Sequence, residues 1–275
     1  MSEDENFILT KEHKKFTEFC NACKEYRYIG LCYGNPGIGK TVSANQYSKW
    51  EIINQYYNGN FHKFFDDPKS LKLSESSLNC DTILETSSIT DTPARIEKSI
   101  GSNAYILEFI KKFFKNGNKI DNSYTGEEEK FSYLKLLIID EADHLKYTTL
   151  EQIRNIYDRF NFGLIFIGMP GIERRLSRYP QLYSRVGFLH EFKALSKDEM
   201  TYIIDRHLNQ LNTKIKLENF DDFETMNSVI RITKGNFRIL TRLFQQLERL
   251  MQINNVYSIN TELVNTAREL LALGS

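Results

Sequence analysis

Apolar residues fall along this chain in two rhythms. Short β-rich runs span Tyr28 to Tyr33, Asp81 to Thr86, Tyr133 to Ile139, Gly163 to Gly168 and Gly187 to Phe192, and the segments between them are helix-compatible. Such alternation predicts a parallel sheet covered on both faces, a three-layer α/β domain. Ahead of the first strand, Thr10 is placed to cap an amphipathic helix in which Phe16, Phe19, Cys20 and Cys23 recur at three- and four-residue spacing. After residue 193 the strands stop. Ser196 and Glu199 form a capping box that opens a helix to about Leu211, and helical patterns follow at 222–234, 237–253 and 260–273. The expected organisation is an N-terminal helix over 1–27 leading into the core, a nucleotide-binding α/β domain over 28–192 and an all-helical lid over 193–275. The polar stretches 66–80 and 115–130 read as surface loops.

Composition narrows the functional classes. At 41% hydrophobic residues the chain has ample material for a core, and 36 basic against 36 acidic residues exclude binding of nucleic acid or membrane through bulk charge. Any such contact must be local. The longest purely apolar runs, Leu136 to Ile139 among them, are far below the ~20 residues that cross a bilayer. The start Met1-Ser2-Glu3-Asp4-Glu5 lacks the basic and apolar regions of a secretory signal, so a cytoplasmic protein with no membrane partner is expected. Cys20-x-x-Cys23 has no second pair, and His13, His62, His144, His190 and His207 are scattered. Ordinary reduced thiols on helices are expected for Cys20, Cys23, Cys32 and Cys80.

The chemistry concentrates in two motifs. Gly34-Asn35-Pro36-Gly37-Ile38-Gly39-Lys40-Thr41 matches G-x-x-x-x-G-K-[ST] between an apolar strand and a helix-compatible stretch, the setting of a phosphate-binding loop. With Val42 these residues form the expected ATP-binding stretch. The glycines let backbone N–H groups converge on phosphates, Lys40 reaches the β- and γ-phosphates and Thr41 places its hydroxyl on Mg²⁺. About 100 residues later, Leu136-Leu-Ile-Ile139 ends in Asp140-Glu141. Asp140 is expected to hold the Mg²⁺ shell and Glu141 to orient and deprotonate the attacking water. The string Asp140-Glu141-Ala142-Asp143 also occurs in RNA helicases, but those enzymes need two consecutive nucleotide folds. Asp143 and His144 read as polar residues at a helix start.

A P-loop domain followed by a small helical lid resembles the AAA+ ATPase architecture over nearly the whole chain. Ser184-Arg185-Val186-Gly187 resembles the motif that presents an arginine finger to the neighbouring subunit, with Arg174, Arg175 and Arg178 as competitors. Gly235-Asn-Phe-Arg238 resembles the second-sensor motif, whose arginine reaches the γ-phosphate. Arginine supplied in trans is worth about 10³ to 10⁵ in rate in related phosphoryl transfers. The resemblance therefore implies slow, assembly-dependent hydrolysis. The first-sensor position, usually polar, falls near Met169 in Ile165-Phe-Ile-Gly168-Met169-Pro170, a departure from the family pattern.

Within AAA+, Arg27-Tyr-Ile-Gly-Leu-Cys-Tyr-Gly34, the acidic strand end at 140–143 and Ile167-Gly-Met-Pro-Gly171 with Arg178-Tyr-Pro-Gln-Leu-Tyr-Ser-Arg185 are similar to the transposition-regulator ATPases, the TniB, TnsC and MuB group. Membership implies ATP-dependent homo-oligomers, ring or filament, on double-stranded DNA, which recruit or stimulate a DDE transposase. Two local basic strips are candidates for DNA contact: Arg231, Lys234, Arg238, Arg242 and Arg249, and Arg95, Lys98, Lys111, Lys112 and Lys115, the resemblance pointing to the second set because it implies loops near the second strand facing a central pore. A helicase-loader or clamp-loader-like replication ATPase and a signalling or defence nucleotide switch remain the alternatives.

Overall fold

All five β-rich runs become strands of one sheet. In this computed structural model, which describes residues 7–54, 79–115, 127–215 and 223–271, the strands are β1 (Ile29–Tyr33), β2 (Thr82–Thr86), β3 (Leu136–Asp140), β4 (Gly163–Gly168) and β5 (Val186–Glu191). They lie in the order β2-β3-β4-β1-β5, and every adjacent pair is parallel. β3 and β4 are buried along their whole length, as continuous apolar runs inside a helix-flanked parallel sheet should be. β5, at an edge, alternates half-buried and exposed positions. The third strand begins at Leu136 rather than at Tyr133. Upstream, the Leu134 amide closes a turn on the Phe131 carbonyl at 3.1 Å.

The helices are α1 (Lys11–Tyr26), α2 (Lys40–Ser48), α3 (Pro93–Lys115), α4 (Glu127–Lys130), α5 (Tyr147–Arg159), α6 (Ile172–Leu176), α7 (Pro180–Tyr183), α8 (Lys197–Ile215), α9 (Phe223–Thr233), α10 (Phe237–Asn254) and α11 (Thr261–Glu269). Thr10 caps α1, its Oγ1 accepting from the His13 amide at 3.1 Å. The polar stretch 115–130 is not loop throughout. Its end forms α4, where Lys112 of α3, bound to Glu108 at 2.8 Å, also reaches Glu129 at 3.6 Å. Residues 116–126, and 66–78 of the other expected loop, lie outside the described residues.

The chain folds into two compact units. One takes residues 15–34 and 40–191 and contains the sheet. Its core is built from Ile29, Leu31, Leu136–Ile139 and Leu164–Ile167, all fully buried. The other takes 1–14, 35–39 and 192–275, and among its described residues the main elements are helices. There Ile203 and Ile204 of α8, Val229 of α9, Leu243 and Leu247 of α10, and Val264 and Ala267 of α11 close a second core. α8 opens on the expected capping box: Glu199 Oε2 accepts from the Ser196 amide at 2.9 Å, and Ser196 Oγ accepts from the Glu199 amide at 3.3 Å. The helix runs one turn past the expected end at Leu211, to Ile215.

Candidate active site

β1 carries the chain to Gly34, whose amide donates to the Gly168 carbonyl at the end of β4 (3.3 Å). The following loop turns through left-handed backbone at Gly37 (φ +78°) and Gly39 (φ +108°), conformations that side chains rarely adopt. A Cβ on Gly39 would meet nothing within 4 Å. The space beside this part of the loop is open. α2 then begins at Lys40, whose ammonium donates to the Gly34 carbonyl at 2.6 Å. Burial pulls the Lys40 ammonium below its ordinary value, while Cys32, Asp140, Glu141 and Asp143 pull it back up. Ile38 is buried and Val42 is exposed.

Residues 35–39 of the loop group with the helical unit. There the Gly37 carbonyl accepts from the Arg238 amide at 3.0 Å, and the Pro36 carbonyl from Asn236 Nδ2 at 2.8 Å. A Cβ at Gly37 would fall 2.6 Å from Asn236 Oδ1 and 2.9 Å from Arg238 Cβ. Both the φ angle and the lack of room therefore demand glycine. Arg238 itself is exposed in the first turn of α10.

The second motif closes on the first. Thr41 Oγ1 donates to Asp140 Oδ2 at 2.6 Å, across 99 residues of sequence, and Asp140 is buried. The other carboxylate oxygen accepts from the Glu141 amide at 2.9 Å. Glu141 stands in left-handed backbone (φ 55°, ψ 36°), which costs a non-glycine residue about 1 kcal/mol and must be held by its surroundings. Part of that hold comes from Ser87, just after β2, whose Oγ lies 2.6 Å from the Glu141 carbonyl and 3.0 Å from the Asp140 carbonyl. Nothing in the sequence marks Ser87; only strand pairing brings it here. Asp143 and His144 fall in a 3₁₀ turn, Ala142–His144, rather than opening an α-helix.

The residues present fit a nucleotide and Mg²⁺. A hydroxyl and a buried carboxylate side by side are the hard oxygen donors that Mg²⁺ prefers. Among the described residues no group of three or more His, Cys, Asp and Glu is arranged to hold a metal. Phosphate and water oxygens would complete the shell.

The arginines sort by partner. Arg185 is fastened within its own chain: Nε meets Asp158 Oδ1 at 2.7 Å, Nη2 meets Oδ2 at 3.0 Å, and Nη1 donates to the Gln181 carbonyl. Arg175 donates to the Asp143 and Leu145 carbonyls, an engagement that its position in sequence did not reveal. Arg174 and Arg178 are exposed. In the basic strips, Arg238, Arg242 and Arg249 line the exposed side of α10, opposite buried Leu240, Leu243, Phe244 and Leu247. Arg231 and Lys234 are also exposed, with Arg231 Nη2 3.3 Å from Ser228 Oγ. On α3, Arg95 pairs with Asp91 at 3.3 Å, Lys98 and Lys115 are exposed, and Lys111 and Lys112 are half-buried.

Comparison with known proteins decides the family. A model of the AAA domain matches residues 23–176. The chain belongs to the AAA domain family. Over its full length this AAA protein is 45% identical to a potential ATP-binding protein of Staphylococcus aureus, covering 99% of that relative. It is 24% identical to the ATP-dependent target DNA activator B of Escherichia phage Mu, over 87% of this chain and 67% of that one. The DNA transposition protein B of a Mu-like prophage of Haemophilus influenzae is 28% identical over 86% and 71%. Family membership and these relatives bear out the resemblance to the transposition-regulator ATPases. Among solved structures the AAA fold is shared with the RuvB branch migration motor of Thermotoga maritima, at TM-score 0.56 and 18% identity over 98% of this chain and 72% of that one. It is shared also with Aeropyrum pernix ORC1, at TM-score 0.56 and 16% identity over 95% and 65%. Among the described residues, no helix of the AAA protein is long and apolar enough to cross a membrane.

Proposed function

We propose that this AAA protein is an ATP-dependent regulator of DNA transposition that assembles on double-stranded DNA when ATP is bound and recruits or stimulates a transposase. The observation that carries the nucleotide half of this reading is the 2.6 Å meeting of Thr41 with buried Asp140, next to Lys40 and Glu141. The similarity to target DNA activator B supports the DNA half. Lys40 holds the β- and γ-phosphates, Thr41 and Asp140 hold Mg²⁺, and Glu141 takes the proton of the attacking water. Mg²⁺ held by Thr41 and Asp140 would supply neutralisation of the phosphate charge. Arg185 serves the neighbouring subunit's nucleotide and Arg238 its own, so hydrolysis is slow until subunits assemble. Because net charge is zero, DNA contact falls to local strips, Arg95, Lys98, Lys111, Lys112 and Lys115 of α3 being one and Arg242 and Arg249 of α10 another.

Fluorescence anisotropy of a labelled duplex tests the reading, with and without a slowly hydrolysed ATP analogue and at two salt concentrations. The expected outcome is cooperative binding that needs the analogue and weakens with salt. Lys40→Ala should lose it, and Glu141→Gln should keep it while turnover stops. Binding by Lys40→Ala without nucleotide, or no binding by the wild type under any condition, overturns the proposal.

A further inference from the structure

We propose that Asp143 is a positioning residue for ATP hydrolysis, its carboxylate tying the turn that carries Glu141 to the backbone at the end of β4. The inference rests on the reading of Glu141 as the base. Two observations from opposite sides of the contact carry it.

From the β3 side, Glu141 sits in left-handed backbone at the head of a three-residue 3₁₀ turn and makes no side-chain cap bond there. The turn closes on itself through His144 N to Glu141 O (3.0 Å) and Leu145 N to Ala142 O (3.2 Å). A base must be fixed within about 1 Å to act, so such a short turn needs outside anchors. Ser87 supplies one on the β2 side. On the β4 side Asp143 Oδ2 accepts from the Met169 amide at 2.6 Å, a short, charge-assisted bond. Arg175, on α6, grips the Asp143 and Leu145 carbonyls from the same side.

From the β4 side, Gly168 shows that the approach is built in. Its backbone is not left-handed, so glycine is not needed there for conformation. It is needed for room: a Cβ would fall 2.5 Å from Asp143 Oδ2, 3.0 Å from Asp143 Cγ and 2.6 Å from Ile172 Cδ1. The end of β4, where Met169 offers no polar side chain, is thereby joined to the base-bearing turn through a backbone amide and a carboxylate from the turn itself.

Steady-state ATP turnover, mant-ATP binding and melting temperature, measured with duplex DNA present for the wild type, Asp143→Ala, Asp143→Asn, Gly168→Ala and Glu141→Gln, test this. Asp143→Ala and Gly168→Ala break the link from its two ends. Each should lower kcat roughly 10- to 100-fold while nucleotide affinity stays near the wild-type value. Asp143→Asn keeps an oxygen for the Met169 amide and should retain most of the activity. Wild-type kcat in Asp143→Ala or in Gly168→Ala, beside an inactive Glu141→Gln, overturns this inference and leaves the base assignment standing. Loss of mant-ATP binding in step with kcat, or an Asp143→Asn as impaired as Asp143→Ala, overturns it too. Normal turnover by Glu141→Gln sinks the base assignment and this inference together.

Discussion

Glu85, on β2, lies in register with Ile139 and points into α3, where it accepts from Ser99 Oγ at 2.6 Å and Asn103 Nδ2 at 2.8 Å. Burial pushes its carboxyl above the ordinary value. The Ser99 bond draws it back, Asp91 raises it again, and Arg95 and Asn103 lower it. A carboxyl that holds its proton more tightly folded than unfolded adds stability below the unfolded pKa and loses it as pH rises through the folded one. Relative to Glu85→Gln, the wild type should therefore gain in urea midpoint as pH is lowered from 7 through the carboxylate range. A difference that does not change with pH would refute this. The thiols obey the same physics. Burial pushes Cys23 up to about 12 and Cys80 up to about 11, and all four cysteines are buried and in no disulfide. Cys20 and Cys23 lie on a helix as expected, whereas Cys32 lies on β1 and Cys80 just before β2, where burial in the sheet region rather than a helix face encloses them.

At the scale of the element, caps decide where helices begin, and they differ in legibility. Thr10 and the Ser196–Glu199 pair are readable because each precedes an apolar periodicity that the helix then uses. Asn236 does two jobs. Its Oδ1 accepts from the Ile239 amide at 3.1 Å and caps α10, while its Nδ2 donates to the Pro36 carbonyl. Asn236→Ala should lower unfolding free energy by about 1 kcal/mol, the usual worth of such a cap, as read from chemical denaturation. Asn236→Asp keeps the acceptor and should lose less; equal losses would deny the cap its role. α6 and α7 have too few residues for a periodic signal. α7 starts at Pro180 and α6 is tied down through Arg175.

Assembly belongs to the whole molecule. With 36 positive and 36 negative side chains, attraction between subunits or to DNA cannot come from net charge and must come from placed groups. In the proposed reading Arg185 is such a group; within its own chain it is bound by the two oxygens of Asp158, to which Arg154 also binds at 2.7 Å. Arg185→Ala should bind ATP as a monomer yet fail to form oligomers or to hydrolyse, as followed by light scattering and phosphate release. Unchanged turnover would transfer the finger to exposed Arg174 or Arg178, because Arg175 is engaged with the carbonyls of the acidic turn.

Sequence alone determined the strands, the capped helices and the phosphate loop. Each depends on residues within about ten positions of one another, so periodicity, cap chemistry and glycine spacing carry the information locally. It also named Asp140, because a carboxylate ending a fully apolar strand stands out. What only the tertiary structure decided were meetings across long separations. Strand order set Ser87 against the carbonyls of Asp140 and Glu141, Gly168 left room for the Asp143 carboxylate, and Arg175 was drawn to the turn after β3. No local pattern encodes those contacts. They arise because parallel pairing places the ends of β2, β3 and β4 side by side, where the polar groups left beyond the last paired residues bond to one another.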